Sequence, residues 1–514
     1  MIYVHRVLLG VTLLAAFSLG VHAASFQLED AAGKAVTSNP DVLNKWRQMK
    51  AAGEERNVSW GGFLPTVDVL FGVGHEEKKS PLYTPYERRN YDFHTYKVML
   101  KQNLFSGFAT THDTKRLEHA TLVRFYEMLD QSENAAFEAT KAYVDVWRYR
   151  QLVKYAEDNY GLHRLFFDKI KVRHEKGLGR QVDMETAAGR LALAESNLLT
   201  ENSNLHDVLA RFQRIVGVLP PEEMTPPPRE LFFKNLPTDR KEALQRSLDN
   251  SPQMKAAFHN VLSAMRNVSV QRSAYSPQVN GYIEHGQDSK VGGYAKTYGQ
   301  PADNTNTTTV GVTVSWNLFN GNRDVARERK AIEEKYSAYD VREKVCRDLR
   351  QNVLMAFNEQ SRLNEQIKYL GQHQESSDKA REAFRRQFYL GQRSLLDVLD
   401  TENEYYTARR NLLNGEQDML IAHAKYHFAT GNLLNLLQLK RLDIEPPTPD
   451  TTPEEQLALT CPPDVIEPLI SDKEAAFQRE KAKDKDSSKL GAENLGTQSA
   501  TPKNNPPWVT PKNP

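Results

Sequence analysis

The sequence has few cysteines and almost no excess of charge, and each scarcity argues against a class of protein. Only Cys346 and Cys461 occur among the 514 residues, which argues against metal ligation by cysteine. Cys346 lies within a helical pattern and Cys461 in a Pro-rich tail, so we expect no structural disulfide. The formal net charge is +1, so neither a polybasic nucleic-acid-binding protein nor a polyacidic chain is expected.

Long apolar runs are also scarce, and the one at the N-terminus has an export signature. Arg6 precedes the apolar run Val7–Val21, and Val21-His22-Ala23 ends it with a small residue. This predicts a secretory signal peptide over residues 1–23, with a membrane anchor as the less favoured alternative because the run is short. No later stretch could span a bilayer as a helix, so we expect any membrane-crossing segment to be a strand.

Motifs for catalysis, cofactors and metals are lacking. Serine, histidine and aspartate residues occur in no nucleophile-elbow, zincin or phosphate-loop context. We therefore expect no enzyme activity, no cofactor and no metal site. His163 and His174 have no ligand spacing along their helical pattern, and we expect them on a solvated helix face.

Two stretches begin as strands and continue as helices. In Thr307–Arg329, apolar residues alternate with small polar residues from Val310 to Leu318, and a charged helical run starts at Arg323. Tyr96–Arg116 repeats this order. Both strand–helix junctions contain Asn-Leu-Phe-x-Gly. The first runs from Asn103 to Gly107 and the second from Asn317 to Gly321. The strand of the first junction is expected over Phe93–Phe105.

Two more strands, two loops and four long helices complete the predicted elements. The strands are expected at Phe63–Val73 and Pro277–His285, and the polar loops at His75–Tyr91 and Gly286–Asn306. Helices without proline run from Phe108 to about His174 and from Arg323 to about Tyr389, each about 100 Å long. Glycines at the turns, Gly177, Gly179 and Gly391, precede return helices at Val182–Gly217 and Ser394–Leu437.

The return helices carry apolar residues every seven positions, which predicts coiled-coil packing. The two stripes are Met184, Leu191, Leu198, Leu205 and Phe212, and Val398, Tyr405, Leu412, Met419, Tyr426 and Leu433.

Landmarks recur at a fixed offset, which indicates a tandem duplication. The pairs Gly107 and Gly321, Gly177 and Gly391, Asp183 and Asp397, and Gly217 and Gly431 are each 214 positions apart. The chain then divides into a signal peptide (1–23), a first repeat (24–217), a Pro-rich linker with one short helix from Asp239 (218–250), a second repeat (251–440) and a Pro-rich, charged tail (441–514). We expect most of the tail to be disordered, with a helix near Asp472–Lys483.

The chain up to about Leu439 resembles the TolC family of outer-membrane channel-tunnel proteins. The resemblance lies in Leu28–Ala31 with Asn39-Pro40, in the two Asn-Leu-Phe-x-Gly junctions, and above all in Tyr389–Asp400 followed by Glu402-Asn403 and Arg409. It implies a mixed α and β fold in a homotrimer, whose 12-stranded transmembrane β-barrel faces outer-membrane lipid. A 12-helix coiled-coil α-barrel would continue it into the periplasm, with an equatorial belt built from linker and tail.

The resemblance also implies a function. The protein would be an exit duct for an inner-membrane ABC transporter or other pump and its periplasmic adaptor. The first hairpin, Gly177–Ala194, resembles the subgroup that serves type I protein secretion, such as export of an adhesin or toxin. A drug or metal efflux duct is the alternative within the class, and a secreted coiled-coil structural protein is the alternative outside it.

Candidate site residues cluster at the hairpin tips. Asp397 and Asp400 are three apart at a helix start and share a face, so a trimer would bring them to a periplasmic aperture. Compensation of the helix dipole is the alternative role for them. The resemblance implies that Arg393 bridges to a neighbouring hairpin, with Asp183 as its candidate partner. It also places Phe388, next to Tyr389, where relatives can carry a gate tyrosine.

Overall fold

The computed structural model describes residues 26–79, 88–237, 239–292, 303–439 and 472–483. The predicted signal peptide and most of the tail lie outside these residues. Residues 473–483 form a helix, close to the predicted tail helix. The rest of the described chain is a mixed α and β structure, which confirms the predicted fold class.

The same order of elements occurs twice along the chain. The elements of the first half are α1 (Leu28–Ser38), α2 (Pro40–Trp60), β1 (Thr66–Lys79), β2 (Arg88–Phe105), α3 (Ala109–Glu175) and α4 (Gln181–Val216). The connecting helices are α5 (Arg229–Phe232) and α6 (Arg240–Asn250), where one was predicted. The elements of the second half are α7 (Pro252–Arg272), β3 (Gln278–Gly292), β4 (Asp303–Ser315), α8 (Arg323–Tyr389), α9 (Leu395–Ala429) and α10 (Leu433–Leu436).

The strands form one antiparallel sheet in the order β1-β2-β3-β4, so β1 and β4 are its edges. One row across the sheet is apolar and joins Val67, Leu100, Ile283 and Val310. The next row, on the opposite face, joins Asp68, Met99, Glu284 and Thr309. Val67 is 63% exposed and Val310 72% exposed, so the apolar face is uncovered in the single chain.

The strands are longer than the sequence pattern predicts, and the predicted polar loops are wrong over much of their length. β1 extends to Lys79, β2 begins at Arg88, β3 extends to Gly292 and β4 begins at Asp303. These extensions are polar on both faces, so hydrophobic alternation does not mark them. The backbone ladder nevertheless continues, as in the pairing of His75 with Asp92.

The seam between α3 and α4 contains a second buried column that the predicted stripe misses. Met184, Leu191, Leu198 and Leu205 are only half-buried. The buried column lies three residues further along and is Ala187, Ala194, Glu201, Val208 and Ile215. Together the two columns give the a and d positions of a heptad repeat. None of the helices in the described part of the chain is long and apolar enough to cross a membrane.

The predicted second return helix is too long. The helix α9 ends at Ala429, and Gly431 has φ +63°. The short helix α10 then begins at Leu433, and the carboxylate of Glu133 accepts hydrogen bonds from the backbone N–H groups of Leu433 and Leu434 at 3.1 and 3.2 Å. A buried carboxylate from α3 therefore caps the new helix start.

The expectation of no disulfide is also wrong, because Cys346 of α8 is disulfide-bonded. The chain has one other cysteine, Cys461, which lies outside the described residues. The position of Cys346 within a helical pattern was a poor guide, because it carries no information about which residues lie nearby in the fold.

The two strand–helix junctions are built from a glycine and a second residue in the left-handed region. Gly107 and Phe108 have φ of +64° and +63°, and Gly321 and Asn322 have +57° and +60°. Three residues separate β2 from α3, whereas residues 316–322 separate β4 from α8, so the second junction is longer than predicted. The side chain of Asn103 donates to that of Asn280 at 3.1 Å and ties the first junction to β3.

Gly107→Ala is expected to destabilise the protein more than Gly321→Ala does. Both positions have positive φ, which costs a residue with a Cβ about 1 kcal/mol or more. At Gly107 a Cβ would also lie 2.5 Å from the Cβ of Ser276, whereas at Gly321 nothing lies within 4 Å. The midpoints of thermal unfolding followed by circular dichroism measure the difference. Equal losses would show that backbone strain alone decides both positions.

Acidification is expected to destabilise the fold through two buried histidines. Burial lowers the pKa of His259 and of His423 to about 4. The unfolded chain takes up protons near pH 6.5, so stability present at pH 7 is lost as the pH falls towards 4, by about 2 kcal/mol per histidine at pH 5. The drop in melting temperature between pH 7 and 5 should be smaller for His423→Leu than for wild type. His206→Leu, at an exposed position, should keep the full drop.

Candidate functional site at the hairpin tips

The two long hairpins turn by the same backbone arrangement. At the first tip Gly177 has φ +72°, and the N–H of Leu178 donates to the carbonyl of Arg173 at 2.9 Å. At the second tip Gly391 has φ +73°, and the N–H of Gln392 donates to Gln387 at 2.9 Å. Both are Schellman motifs, for which glycine is the favoured residue. These two predicted turn glycines therefore have a backbone reason for their identity.

Gly179, the third predicted turn glycine, is needed for a different reason. Its φ is outside the left-handed region, but a Cβ there would lie 3.0 Å from the backbone nitrogen of His174. The chain leaving α3 thus passes close to the last turn of that helix, and a side chain at Gly179 would push it away.

Asp397 is part of a capping box at the start of α9. Its N–H donates to the hydroxyl of Ser394 at 3.2 Å, and its carboxylate accepts from the N–H of Ser394 at 3.1 Å. Within one chain, the carboxylate of Asp397 therefore has the helix-end role that the sequence left open. Its predicted place in an aperture stays a prediction.

Asp400, one turn further along α9, pairs with a residue of the first hairpin. Its carboxylate forms a salt bridge with the guanidinium of Arg190 on α4. The side chain of Asp400 is 60% exposed and that of Arg190 is 34% exposed. One of the two predicted aperture carboxylates is thus paired with a cation, a partner that the sequence analysis did not foresee.

Arg393 and Asp183 line one cavity between the tips, but in the single chain they are not joined. The cavity has a volume of about 990 Å³, and Phe166 and Leu395 line it as well. The guanidinium of Arg393 donates to Gln387 at 3.2 Å and lies 4.6 Å from the ring centre of Phe384. The latch between Arg393 and Asp183 remains a prediction about neighbouring hairpins.

Phe388 and Tyr389 face different surroundings. Phe388 packs against an apolar cluster that holds α3, α4 and α9 together at the tips, formed by Phe166, Ile170, Ala187, Val398 and Leu399. Tyr389 is 75% exposed. The position at which the resemblance implied a gate tyrosine therefore makes an apolar contact here.

Two buried carboxylates in the helical seams escaped the sequence analysis. Glu201 of α4 pairs with Arg410 of α9, and its side chain is 2% exposed. Glu402 of α9 pairs with Arg385 and, at 3.8 Å, with Arg381, both on α8. The position of Glu201 in the buried heptad column, between Ala194 and Val208, was the signal that could have identified it.

Ion pairs tie the first hairpin to α9 along most of its length. From the far end of α9 towards the tip, the pairs are Arg148–Asp418, Arg410–Glu201, Arg409–Asp158 and Arg190–Asp400. Because each pair joins a residue of the first hairpin to a residue of the second, the pairs fix how the second hairpin lies on the first.

Burial shifts the pKa values of two side chains near the hairpin tips, Glu402 and His163. Burial raises the pKa of Glu402 despite its two arginine partners. His163 is 3% exposed, and burial lowers its pKa, assisted by the charge of Arg190. The expectation that His163 lies on a solvated face is therefore wrong. Within the described ranges, no group of three or more His, Cys, Asp or Glu side chains could hold a metal ion.

Comparison with known proteins finds a family match that includes the second hairpin tip. Residues 243–432, which include α8, the second tip and α9, match the family described as outer membrane efflux protein. This part of the chain is therefore similar to the outer membrane efflux protein family. This confirms the resemblance to TolC-like channels that the sequence suggested, and it places the protein in the bacterial outer membrane.

Several named relatives match most of the chain. The outer membrane efflux protein BepC of Brucella suis is 23% identical over 80% of this chain and 87% of its own length. The alkaline protease secretion protein AprF of Pseudomonas aeruginosa is 25% identical over 68% of this chain and 71% of its own. TolC of Escherichia coli is 23% identical over 83% and 86%.

The fold of this chain is also that of solved channels. The crystal structure of the CmeC outer membrane channel of Campylobacter jejuni superposes with a TM-score of 0.68 at 12% identity, covering 79% of this chain and 86% of that one. Together these similarities support the role of an export duct for the chain.

Arg410→Met is expected to cost about 3 kcal/mol of stability, because it leaves the buried Glu201 without its guanidinium. The double variant Glu201→Leu with Arg410→Met should recover most of that loss, since an apolar pair needs no compensation. Chemical unfolding of the α-helical signal measures both. Arg164→Met is the control, because its pair with Asp168 is more than half exposed and should contribute little. A double variant as unstable as the single one would contradict this account.

Proposed function

We propose that the protein is a homotrimeric exit duct that serves type I protein secretion. In this proposal it joins an inner-membrane ABC transporter, through a periplasmic adaptor, to the outside of the cell. The observation that carries the proposal is the sheet of four strands, open at both edges and apolar on one face, that continues into helices of 67 residues.

An open sheet cannot rest in a bilayer with unpaired edges, because each unmatched backbone group there costs several kcal/mol. Further copies of the chain would pair with the free edges of β1 and β4, and three copies give a closed ring of twelve strands. The apolar row from Val67 to Val310 would then face lipid, and the row from Asp68 to Thr309 would face the lumen.

The helices supply the periplasmic part of the duct. Each of α3 and α8 has 67 residues and is about 100 Å long at 1.5 Å per residue. The tips at Gly177 and Gly391 therefore lie about 100 Å along their helices from the junctions at Gly107 and Gly321. This separation supports a conduit whose membrane end and whose gate are different parts of the molecule.

We assign the gate to the tips. Asp397 and Asp400 would surround the aperture, and Arg393 would bridge to Asp183 of a neighbouring hairpin when the duct is closed. Arg393 and Asp183 already line the same cavity, which supports their availability for such a contact. Breaking it would let the second hairpin swing outward.

The names of two relatives bear on the cargo. AprF is named for secretion of an alkaline protease and matches at 25% identity, and the first tip resembles that of the secretion subgroup. BepC is named an efflux protein, which favours drug or metal efflux as the second candidate. We favour protein secretion because the tip that meets the adaptor is the part that resembles the secretion subgroup.

The duct itself can be tested with purified protein. The full chain is expected to run as a heat-modifiable trimer extracted from outer membranes and to conduct ions in planar bilayers. A monomer recovered in the soluble periplasmic fraction would contradict the proposal and favour a secreted coiled-coil protein.

The cargo can be tested by deleting the gene in its own host. We expect a large secreted protein to disappear from the culture medium, while sensitivity to drugs and metal ions stays within twofold of wild type. Expression of the wild-type chain should restore secretion, and expression of the variant with Gly177 and Gly179 changed to alanine should restore it poorly. Increased drug or metal sensitivity with unchanged secretion would replace secretion by efflux.

A further inference from the structure

We propose that Arg190 sets the ion selectivity of the periplasmic aperture by pairing with the carboxylate of Asp400. The inference rests on the proposed function, because it needs Asp400 to face the conducting path. It departs from the expectation of an aperture whose aspartates are free to bind cations.

Neither aperture carboxylate is without a partner in the single chain. The carboxylate of Asp400 is held by the guanidinium of Arg190, which reaches it from α4 on the other hairpin. The carboxylate of Asp397 accepts the N–H of Ser394 in the capping box. Counting formal charges, Asp397, Asp400 and Arg190 sum to one negative charge per chain, where the two aspartates alone would give two.

The position of Arg190 follows from packing. Arg190 lies one turn after Ala187 on α4, and Asp400 follows Leu399 directly on α9. Ala187 and Leu399 are buried in the apolar cluster at the tips. The contact that joins the hairpins therefore also places the guanidinium beside the carboxylate, at the edge of the cluster.

Among the residues that the structure describes, Arg190 is the cation that pairs with Asp400. His163 of α3 lies near enough for the charge of Arg190 to lower its pKa further, in addition to the effect of burial, so its ring is neutral at neutral pH. Arg164, the next residue of α3, pairs with Asp168 in its own helix.

The pair is partly exposed, with side-chain exposures of 34% and 60%. Both side chains of the pair therefore remain accessible to ions in the lumen. A ring of free carboxylates attracts multivalent cations strongly, whereas a ring of paired carboxylates attracts them weakly. Arg190 would thus favour passage of anionic segments of cargo and reduce obstruction by cations.

The test is ion conduction by the purified full-length trimer in planar bilayers, with hexaamminecobalt(III) as the blocking cation. Arg190→Gln should strengthen block about tenfold and raise the preference for K⁺ over Cl⁻. Arg190→Lys keeps the positive charge and should resemble wild type, which a purely structural role for the guanidinium would not predict. Arg164→Gln, which removes an exposed arginine of α3, should leave block unchanged.

The partner variants make the assignment specific. Asp400→Asn should shift selectivity towards Cl⁻, because Arg190 is then unpaired. The double variant Arg190→Gln with Asp400→Asn should lose the stronger block of Arg190→Gln. Equal block in wild type and Arg190→Gln would overturn the inference while leaving the duct intact, whereas a wild-type protein that conducts no ions would overturn the proposed function and the inference with it.

Discussion

The rest of the structure depends on the heptad seam that holds each 67-residue helix against its return helix. A single helix of that length has no core of its own, so its straight course must come from packing along its neighbours. In α4 the seam consists of two columns of side chains, and each column has one residue every seven positions. One column is half-buried and mostly leucine, and the other is buried and includes two alanines. Small residues in the buried column let the helices pack closely. The packed helices stay straight and hold the tips far from the sheet.

Charged residues in the seam add direction to this packing. An apolar seam alone allows helices to slide by a heptad, because each repeat resembles the next. Glu201 interrupts the buried column of α4 and pairs with Arg410 of α9, and the buried Glu402 of α9 pairs with Arg385 of α8. A shift by seven residues would leave a buried carboxylate unpaired, at a cost of several kcal/mol, so these pairs select one register.

The sequence predicted what repeats and missed what depends on distance. Helix limits at Arg323 and Tyr389 agree with the structure, because glycine and caps act locally. The polar ends of the strands were missed since pairing, not alternation, holds them. The partners of Asp400 and Glu201 were missed because they belong to elements far away in sequence. At the tips, the turn glycines were predictable and the ion pairs were not.

The duplicated tips show how one backbone turn can serve two purposes. Asp183 and Asp397 occupy equivalent positions, 214 residues apart, in the first turns of α4 and α9. Ser394 is the N-cap of α9 and engages Asp397, whereas Arg180 is the N-cap of α4 and its side chain makes no cap hydrogen bond. The carboxylate of Asp397 is therefore engaged in starting its helix, while that of Asp183 faces the cavity between the tips. Because the Schellman turns hold both tips, the two tips share a backbone turn and differ in their cap residues, and the proposed latch uses the carboxylate of the first copy.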